Sequence, residues 1–167
     1  MHRHLLAAVT AASLALIPVA AGAADYSGTW VRDPAQSAPS GFPVYWLTRT
    51  TQQMGGGNAA VVLQVRQSAT GVEANDGIHP LRTYVLDGKP HAVRTDSMMA
   101  QAQVTAAMAG ETLTVATEQP YGGMPGNVTA RETQTWSLSP DGAVLTIALV
   151  RESPAGRQTF REVYRRQ

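Results

Sequence analysis

The sequence predicts an all-β protein, a single antiparallel up-and-down barrel of about eight to ten strands. After residue 60, short runs that alternate apolar and polar residues are separated by Gly-centred turns, most clearly at 85–89, 109–111 and 138–142. Asp-Gly and similar small pairs tolerate the positive φ that tight hairpins require. Because each run has one apolar face and one polar face, closure into a barrel would bury the apolar faces and remove exposed sheet edges.

Residues 1–23 have the pattern of a secretory signal peptide. A positive start containing Arg3 is followed by an apolar stretch, Pro18 and the small residues Ala21 and Ala23, which together fit a signal peptidase site. We expect cleavage after Ala23, with Ala24 as the alternative, so that residues 24–167 form the mature domain. The apolar stretch is too short for a stable membrane helix. The chain contains no cysteine to acylate, and we expect a periplasmic or secreted protein without a membrane anchor.

The charge of the mature chain argues against nucleic-acid binding. Removing the signal peptide takes away Arg3 and leaves twelve basic and twelve acidic residues. Nucleic-acid binding requires a basic stripe, and a balanced chain of this kind lacks one. A chain of this length suits one domain with a core of its own, even without disulfides.

The elements follow from the residues in order. An opening strand is predicted at 26–31, and three prolines and a glycine keep 33–43 irregular. Residues 44–51 are compatible with a strand or with a short turn of helix, and Gly55 to Gly57 close this region. Nine strands are then predicted, at 59–68, 71–75, 81–86, 90–95, 100–108, 111–118, 130–138, 143–151 and 157–165.

One segment, 97–110, fits either a helix or a strand. It is rich in Ala, Met and Gln, with Ser97 as a helix N-cap and Gly110 as a residue that would follow the helix C-terminus. We predict a strand after Ala100, because Glu111 begins a clear strand and Ala109-Gly110 would form a hairpin with it.

The period of two assigns side chains to the barrel interior. The inward rows are predicted to be Val61, Leu63 and Val65; Leu113 and Val115; Trp136 and Leu138; and Leu145, Ile147 and Leu149. The opposite faces consist mainly of Thr, Gln and Ala, which suits contact with water.

Several stretches resemble a group of small exported bacterial proteins with a lipocalin-like domain, whose function is uncharacterised. The resemblance is carried by Ser-Gly-Thr-Trp at 27–30, by Asp-Pro-Ala-Gln-Ser at 33–37, and by 84–91, 136–146 and 163–166. It implies a lipocalin-like barrel. The Gly28-x-Trp30 motif is also similar to that of true lipocalins, which implies that Trp30 packs across the closed end of the barrel. An arginine from the last strand, Arg165 or Arg166, would cover Trp30, and Trp136 would also be structural.

The residues that could support catalysis or bind metal lack a convergent pattern. His79 and His91 each lie beside a proline and have no metal-ligand spacing. Methionines at 98, 99, 108 and 124 would suit Cu(I), but neighbouring strand residues point to opposite faces, so core filling is favoured. Acids such as Asp76 and Asp87, or Glu111 and Glu118, are expected in turns or on outward faces. We therefore predict no metal, no cofactor and no enzymatic activity.

Two Gly/Pro-rich connections, 42–47 and 120–126, concentrate aromatic and Met side chains. These side chains are expected either to surround the mouth of the barrel and bind a small apolar ligand, or to fill the barrel end. The ligand-binding residues predicted on this basis are Tyr45, Trp46, Tyr121 and Met124. The main functional hypothesis is non-catalytic binding of a small apolar or amphipathic molecule inside the barrel. The alternative is a protein-interaction or inhibitor module whose aromatic loops contact a protein partner.

Overall fold

The computed structural model describes residues 23–37, 62–77, 81–94, 101–120 and 129–167. Within these ranges the chain forms ten strands and no helix. They are β1 (Gly28–Arg32), β2 (Val62–Gln67), β3 (Gly71–Asn75), β4 (Arg82–Val85), β5 (Pro90–Arg94), β6 (Gln101–Ala109), β7 (Thr112–Pro120), β8 (Thr129–Leu138), β9 (Val144–Ser153) and β10 (Gly156–Arg166).

All ten described strands belong to one antiparallel sheet in the order β4-β3-β2-β1-β10-β9-β8-β7-β6-β5. The first strand pairs with the last, with Trp30 opposite Arg166 and Arg32 opposite Tyr164. The prediction of an all-β, antiparallel up-and-down barrel is therefore confirmed, and the barrel is nearly closed.

The seam of the barrel lies between β4 and β5, the two edge strands of the sheet. They are consecutive in the chain, and the turn that joins them is tied to its neighbours by two backbone hydrogen bonds. The Leu86 N–H donates to the Thr70 carbonyl at 2.9 Å, and the Gly88 N–H donates to the Ala106 carbonyl at 3.0 Å. These bonds hold the seam at the end where the turn lies.

Residues 101–109 form strand β6, so the prediction of a strand after Ala100 is confirmed and the helical alternative is wrong for these residues. Ala102, Val104 and Ala106 alternate with more exposed neighbours and are buried. Every residue from Gln103 to Ala109 has a partner on β7. Pairing with a strand and burial of one face therefore outweigh the helical propensity of Ala, Met and Gln.

Short connections lie together at one end of the barrel, which we call the closed end. They are 68–70 between β2 and β3, 86–89 between β4 and β5, 110–111 between β6 and β7, and 139–143 between β8 and β9. Gly88, Gly110 and Gly142 have φ of 69°, 59° and 68°, which is the positive φ that the turn residues were predicted to supply. The segment 23–27 and the end of β10 reach the same end.

The hydrophobic core occupies the interior near the closed end. Its largest fully buried side chains include Tyr26, Trp30, Trp136, Leu113 and Leu145. Of the predicted inward rows, Leu63, Val65, Leu113, Val115, Trp136, Leu145, Ile147 and Leu149 are buried, and Leu138 is half-buried. Val61 lies outside the described residues.

Candidate ligand-binding site

The closed end is sealed by aromatic packing around Trp30 and Trp136. The Trp30 side chain is buried, and its Nε1–H donates to the Tyr26 carbonyl at 2.9 Å. The Trp136 ring meets Tyr26 edge-on at a centroid distance of 6.0 Å and meets Tyr84 edge-on at 6.3 Å. The predicted structural residues Trp30 and Trp136 therefore fill this end with side chains, and a ligand site inside the barrel must lie further from it.

Arg166 covers Trp30 at the closed end, on the same face of the sheet, and Arg165 does not. The guanidinium carbon of Arg166 lies 4.5 Å from the centre of the Trp30 ring. Arg165 instead forms an exposed ion pair with Asp33, with Nε 2.9 Å from Oδ2. The sequence left Arg165 and Arg166 as alternatives. The structure shows that Arg166 covers Trp30, so the alternative Arg165 is wrong. Arg166 is the direct partner of Trp30 across the β1–β10 pair, whereas Arg165 pairs with Val31, and successive residues face opposite sides of a sheet.

Gly28 lies beneath the same guanidinium. Its φ is +147°, and a Cβ placed on it would come within 3.2 Å of Arg166 Nη1. A side chain at this position would therefore crowd the arginine that covers Trp30.

Beyond the apolar core, the inward positions become polar. We use the name interior polar cluster for the buried interior side chains that carry polar groups: Asp76, Arg82, Thr117, Glu132, Gln134 and Glu162, with the phenols Tyr84 and Tyr164 of the core. On β8 the inward residues from the closed end outward are Trp136, Gln134 and Glu132, and on β7 they are Leu113, Val115 and Thr117. Thr117, Gln134 and Glu132 therefore lie further from the closed end than the apolar core, whereas Tyr84 and Tyr164 are themselves part of that core.

Two acids of the interior polar cluster form ion pairs with arginines. Glu162 is buried and receives hydrogen bonds from Arg32, including one from Nη2 to Oε1 at 3.2 Å. Glu132 is the cross-strand partner of Arg151, whose Nε and Nη2 lie 2.7 Å and 2.6 Å from Oε1. Burial nevertheless raises the pKa of both carboxyl groups above the usual value, because the loss of hydration outweighs the attraction of the arginines.

Burial also raises the pKa of two phenols in the cluster. The pKa of Tyr84 rises to about 12, and that of Tyr164 rises well above its ordinary value. Both side chains therefore remain neutral hydroxyls over the physiological range and can donate hydrogen bonds.

The buried polar atoms of the cluster without a hydrogen-bond partner among the described residues include five on five different side chains. These five are the hydroxyl oxygens of Tyr84, Tyr164 and Thr117, Oε2 of Glu132 and Nε2 of Gln134. Buried polar groups are normally satisfied, and an unsatisfied one carries a cost of about 1–3 kcal/mol. A concentration of such atoms inside one barrel indicates that water or a ligand supplies the missing partners.

Three of these atoms belong to neighbouring positions. Thr117 on β7 is the direct partner of Glu132 on β8, and Gln134 lies two residues further along β8 on the same face. Tyr84 projects from β4 against Trp136, and its pKa, raised mainly by burial, is raised further by the charge of Glu132. Donors and an acceptor are thus gathered on a small area of the inner wall.

A separate groove of about 400 Å³ lies outside the barrel at the closed end. Ala23, Gln67, Leu86, Asp87 and Met108 are among the residues that line it. Because Ala23 belongs to the predicted signal peptide, cleavage there would open this groove further.

The residues predicted to bind a ligand, Tyr45, Trp46, Tyr121 and Met124, lie outside the described residues, so that prediction stays a prediction. The same holds for His79, Met98 and Met99. His91 is described and contacts Asp87 at the 86–89 turn, with Nε2 2.9 Å and 3.1 Å from the two carboxylate oxygens. Met108 packs against the core.

One prediction about the acids is wrong. Asp76 was expected to be solvated, in a turn or on an outward face; it does follow the end of β3, but it is 8% exposed because it continues the inward row of Val72 and Ala74. Asp87, Glu111 and Glu118 are exposed, as expected.

The sequence carried a signal for the interior polar cluster that hydrophobic patterning alone overlooks. Counting back by two from Trp136 gives Gln134 and Glu132, and counting forward by two from Val115 gives Thr117. A polar residue in an inward register position is the informative observation, because it must find a partner inside.

The fold and this interior define a small antiparallel β-barrel with one apolar, sealed end and a polar inner wall beyond it. Comparison of the chain with protein-family models, with curated proteins and with solved structures found no match. The resemblance to exported lipocalin-like proteins therefore stays a prediction. In the described part of the chain, no helix is long and apolar enough to cross a membrane. Nor do the described His, Asp and Glu side chains form a group of three that could hold a metal ion.

Proposed function

We propose that this protein is an exported, non-catalytic β-barrel protein that binds a small amphipathic molecule inside the barrel. The single observation that carries the proposal is the set of five buried, unpartnered polar atoms on the inner wall. A bound molecule with its own polar group would satisfy atoms that are otherwise costly to bury.

The chemistry of the cluster supports binding more than catalysis. Thr117 and Gln134 offer a hydroxyl and a carboxamide, which orient a ligand by hydrogen bonding. Tyr84, with a pKa of about 12, stays protonated and acts as a donor instead of a base. One oxygen of Glu132 is already occupied by Arg151, and the other is free to accept a hydrogen bond.

The proposal can be tested by native mass spectrometry of the mature protein purified without denaturation from the periplasm of its own host. We expect a retained small molecule. Thr117→Val should reduce the retained fraction, because it removes one inward hydroxyl and nearly preserves the volume. Thr133→Val is the matched control, since Thr133 is exposed on β8. Parent protein that retains no small molecule and binds no added amphipathic molecule, such as decan-1-ol, would contradict the proposal and favour the interaction module.

The export part of the proposal has its own test. N-terminal sequencing of the mature pool should give Ala24 or Asp25 as the first residue, because Ala21 and Ala23 fit the signal peptidase. A mature protein that begins at Ala24 keeps the hydrogen bond from Gln67 Nε2 to the Ala24 carbonyl at 2.8 Å. A mature pool that retains Met1 would contradict export.

A further inference from the structure

Resting on the proposed function, we propose that the polar group of the ligand is uncharged and both donates and accepts hydrogen bonds, as a hydroxyl or a carboxamide does. A carboxylate, a phosphate or an ammonium group would be disfavoured at the same site.

The first argument is the charge balance of the inner wall. The described inward positions around the cluster carry three acids, Asp76, Glu132 and Glu162, and three arginines, Arg32, Arg82 and Arg151. Formal charges at these positions therefore cancel. A charged ligand would add an uncompensated charge to a buried site whose charges already balance, which is more costly than adding a neutral polar group.

The second argument is the nature of the atoms that need partners. Four of the atoms named above belong to neutral groups, namely the two phenols, the Thr117 hydroxyl and the Gln134 amide nitrogen. Only Glu132 Oε2 belongs to an ionisable acid, and the charge of that carboxyl is already shared with Arg151. Neutral donors and acceptors are matched by a neutral group that has both functions.

The third argument is geometric. Glu132 offers an acceptor, Gln134 a donor, and the two lie two residues apart on one face of β8, about 7 Å along the strand. Thr117 stands directly across from Glu132. A single hydroxyl or carboxamide placed between these side chains could donate to Glu132 Oε2 and accept from Gln134 Nε2. A carboxylate there would face Glu132 with like charge.

The test compares three probes that share one ten-carbon tail: decan-1-ol, decanoate and decylammonium. Titration calorimetry of the full mature protein near pH 7, where the latter two are charged, should give a dissociation constant for decan-1-ol about tenfold lower than for either charged probe. Decanoate or decylammonium as the tightest binder would overturn this inference and leave the proposed function standing.

A charge-changing variant tests the mechanism of selectivity. Glu132→Gln keeps the shape of the side chain but leaves Arg151 without its carboxylate, so the preference should move toward decanoate by about tenfold relative to decan-1-ol. Glu118→Gln is the matched control, because Glu118 pairs with Arg131 on the outer face of the same strand pair. An unchanged preference in Glu132→Gln, or an equal change in Glu118→Gln, would overturn the inference.

The retained native molecule provides a second measurement. If none of the three probes binds, the charge of that molecule decides the question: a neutral polar group supports the inference and a net charge overturns it. No probe binding together with no retained molecule would overturn the proposed function as well, and would assign the five atoms to internal water.

Discussion

At the residue scale, strand alternation gives two neighbouring arginines of β10 different contacts at the closed end. Arg165 and Arg166 are adjacent, yet one forms a surface ion pair with Asp33 and the other covers the Trp30 ring. Arg166 also donates from Nη1 to the Ser27 carbonyl at 2.9 Å and from Nε to the Gly142 carbonyl at 3.0 Å. Arg166 thereby ties the segment before β1 to the β8–β9 turn.

Trp30→Ala should lower the free energy of unfolding by about 3–5 kcal/mol, the usual cost of truncating a buried aromatic residue. The ring is fully buried, and its Nε1–H bond to the Tyr26 carbonyl is lost with it. Urea denaturation of the mature protein measures the change, with the exposed residue Thr135 replaced by Ala as a control. A loss below about 1 kcal/mol, the level of surface substitutions, would argue against this role for Trp30.

Arg166→Ala should destabilise the protein by about 1–2 kcal/mol, since it removes a cation–π contact and the hydrogen bonds to three carbonyls, those of Asp25, Ser27 and Gly142. Arg165→Ala is the matched neighbour and should change stability little, because exposed ion pairs contribute little. Thermal or urea denaturation of both variants gives the comparison. Equal effects, or a larger effect at Arg165, would show that Arg166 is not the covering residue.

At the scale of elements, the segment just before β1 works as a plug for the closed end. The Tyr26 hydroxyl lies 2.7 Å from the Glu111 carbonyl oxygen and 2.6 Å from the Trp136 carbonyl oxygen, and it accepts a bond from the Leu113 N–H at 3.2 Å. The Tyr26 hydroxyl therefore joins the segment before β1 to the β6–β7 turn and to strands β7 and β8.

Tyr26→Phe should lower the free energy of unfolding by about 1–3 kcal/mol, because the buried Leu113 N–H would lose its acceptor while the ring packing stays. Tyr84→Phe is an informative control: its hydroxyl has no partner among the described residues, so its removal should be neutral or stabilising in ligand-free protein. Chemical denaturation of both variants tests this contrast. A Tyr26→Phe variant as stable as the parent would contradict the plug.

The strands could be predicted from the sequence because local signals and long-range pairing agree in most of them. Alternation and glycine turns predict 71–75 as it is observed, and most other strand ends to within a few residues. The choice between Arg165 and Arg166 depended on the β1–β10 register, which no local pattern specifies. The interior polar cluster was missed because Thr117, Glu132 and Gln134 were judged by polarity, whereas their position relative to Val115 and Trp136 determines where they point.

At the scale of the whole molecule, the barrel has a polarity gradient along its axis. The closed end is filled by aromatic and aliphatic side chains, while charged and hydroxyl groups occupy the inner wall further along. The apolar half contributes most of the burial free energy. It can therefore tolerate a costly polar wall, whose unpartnered atoms would be satisfied by the ligand that we propose.

The burial of two acids in the polar inner wall predicts how the free energy of unfolding depends on pH. Burial raises the pKa of Glu132 and Glu162 in the folded protein above the ordinary value of 4.5. The folded state then binds protons more tightly than the unfolded state, so the associated stability is present below about pH 4.5 and is lost as pH rises through the folded pKa values. Hydrogen bonds from Arg165 and His91 lower the pKa values of Asp33 and Asp87. The stability that these two carboxylates contribute is therefore present above about pH 3.8 and is lost as the pH falls below it.

Ligand-free mature protein should therefore be most stable in mildly acidic solution, with a free energy of unfolding that falls from about pH 4.5 toward neutrality. Glu132→Gln cannot ionise, so its profile should fall less steeply over that range, whereas the exposed Glu118→Gln control should follow the parent. Urea denaturation at a series of pH values and constant ionic strength measures all three profiles. A parent stability that rises steadily from pH 4.5 to neutrality, or identical slopes for parent and Glu132→Gln, would mean that Arg151 compensates fully for the burial of Glu132.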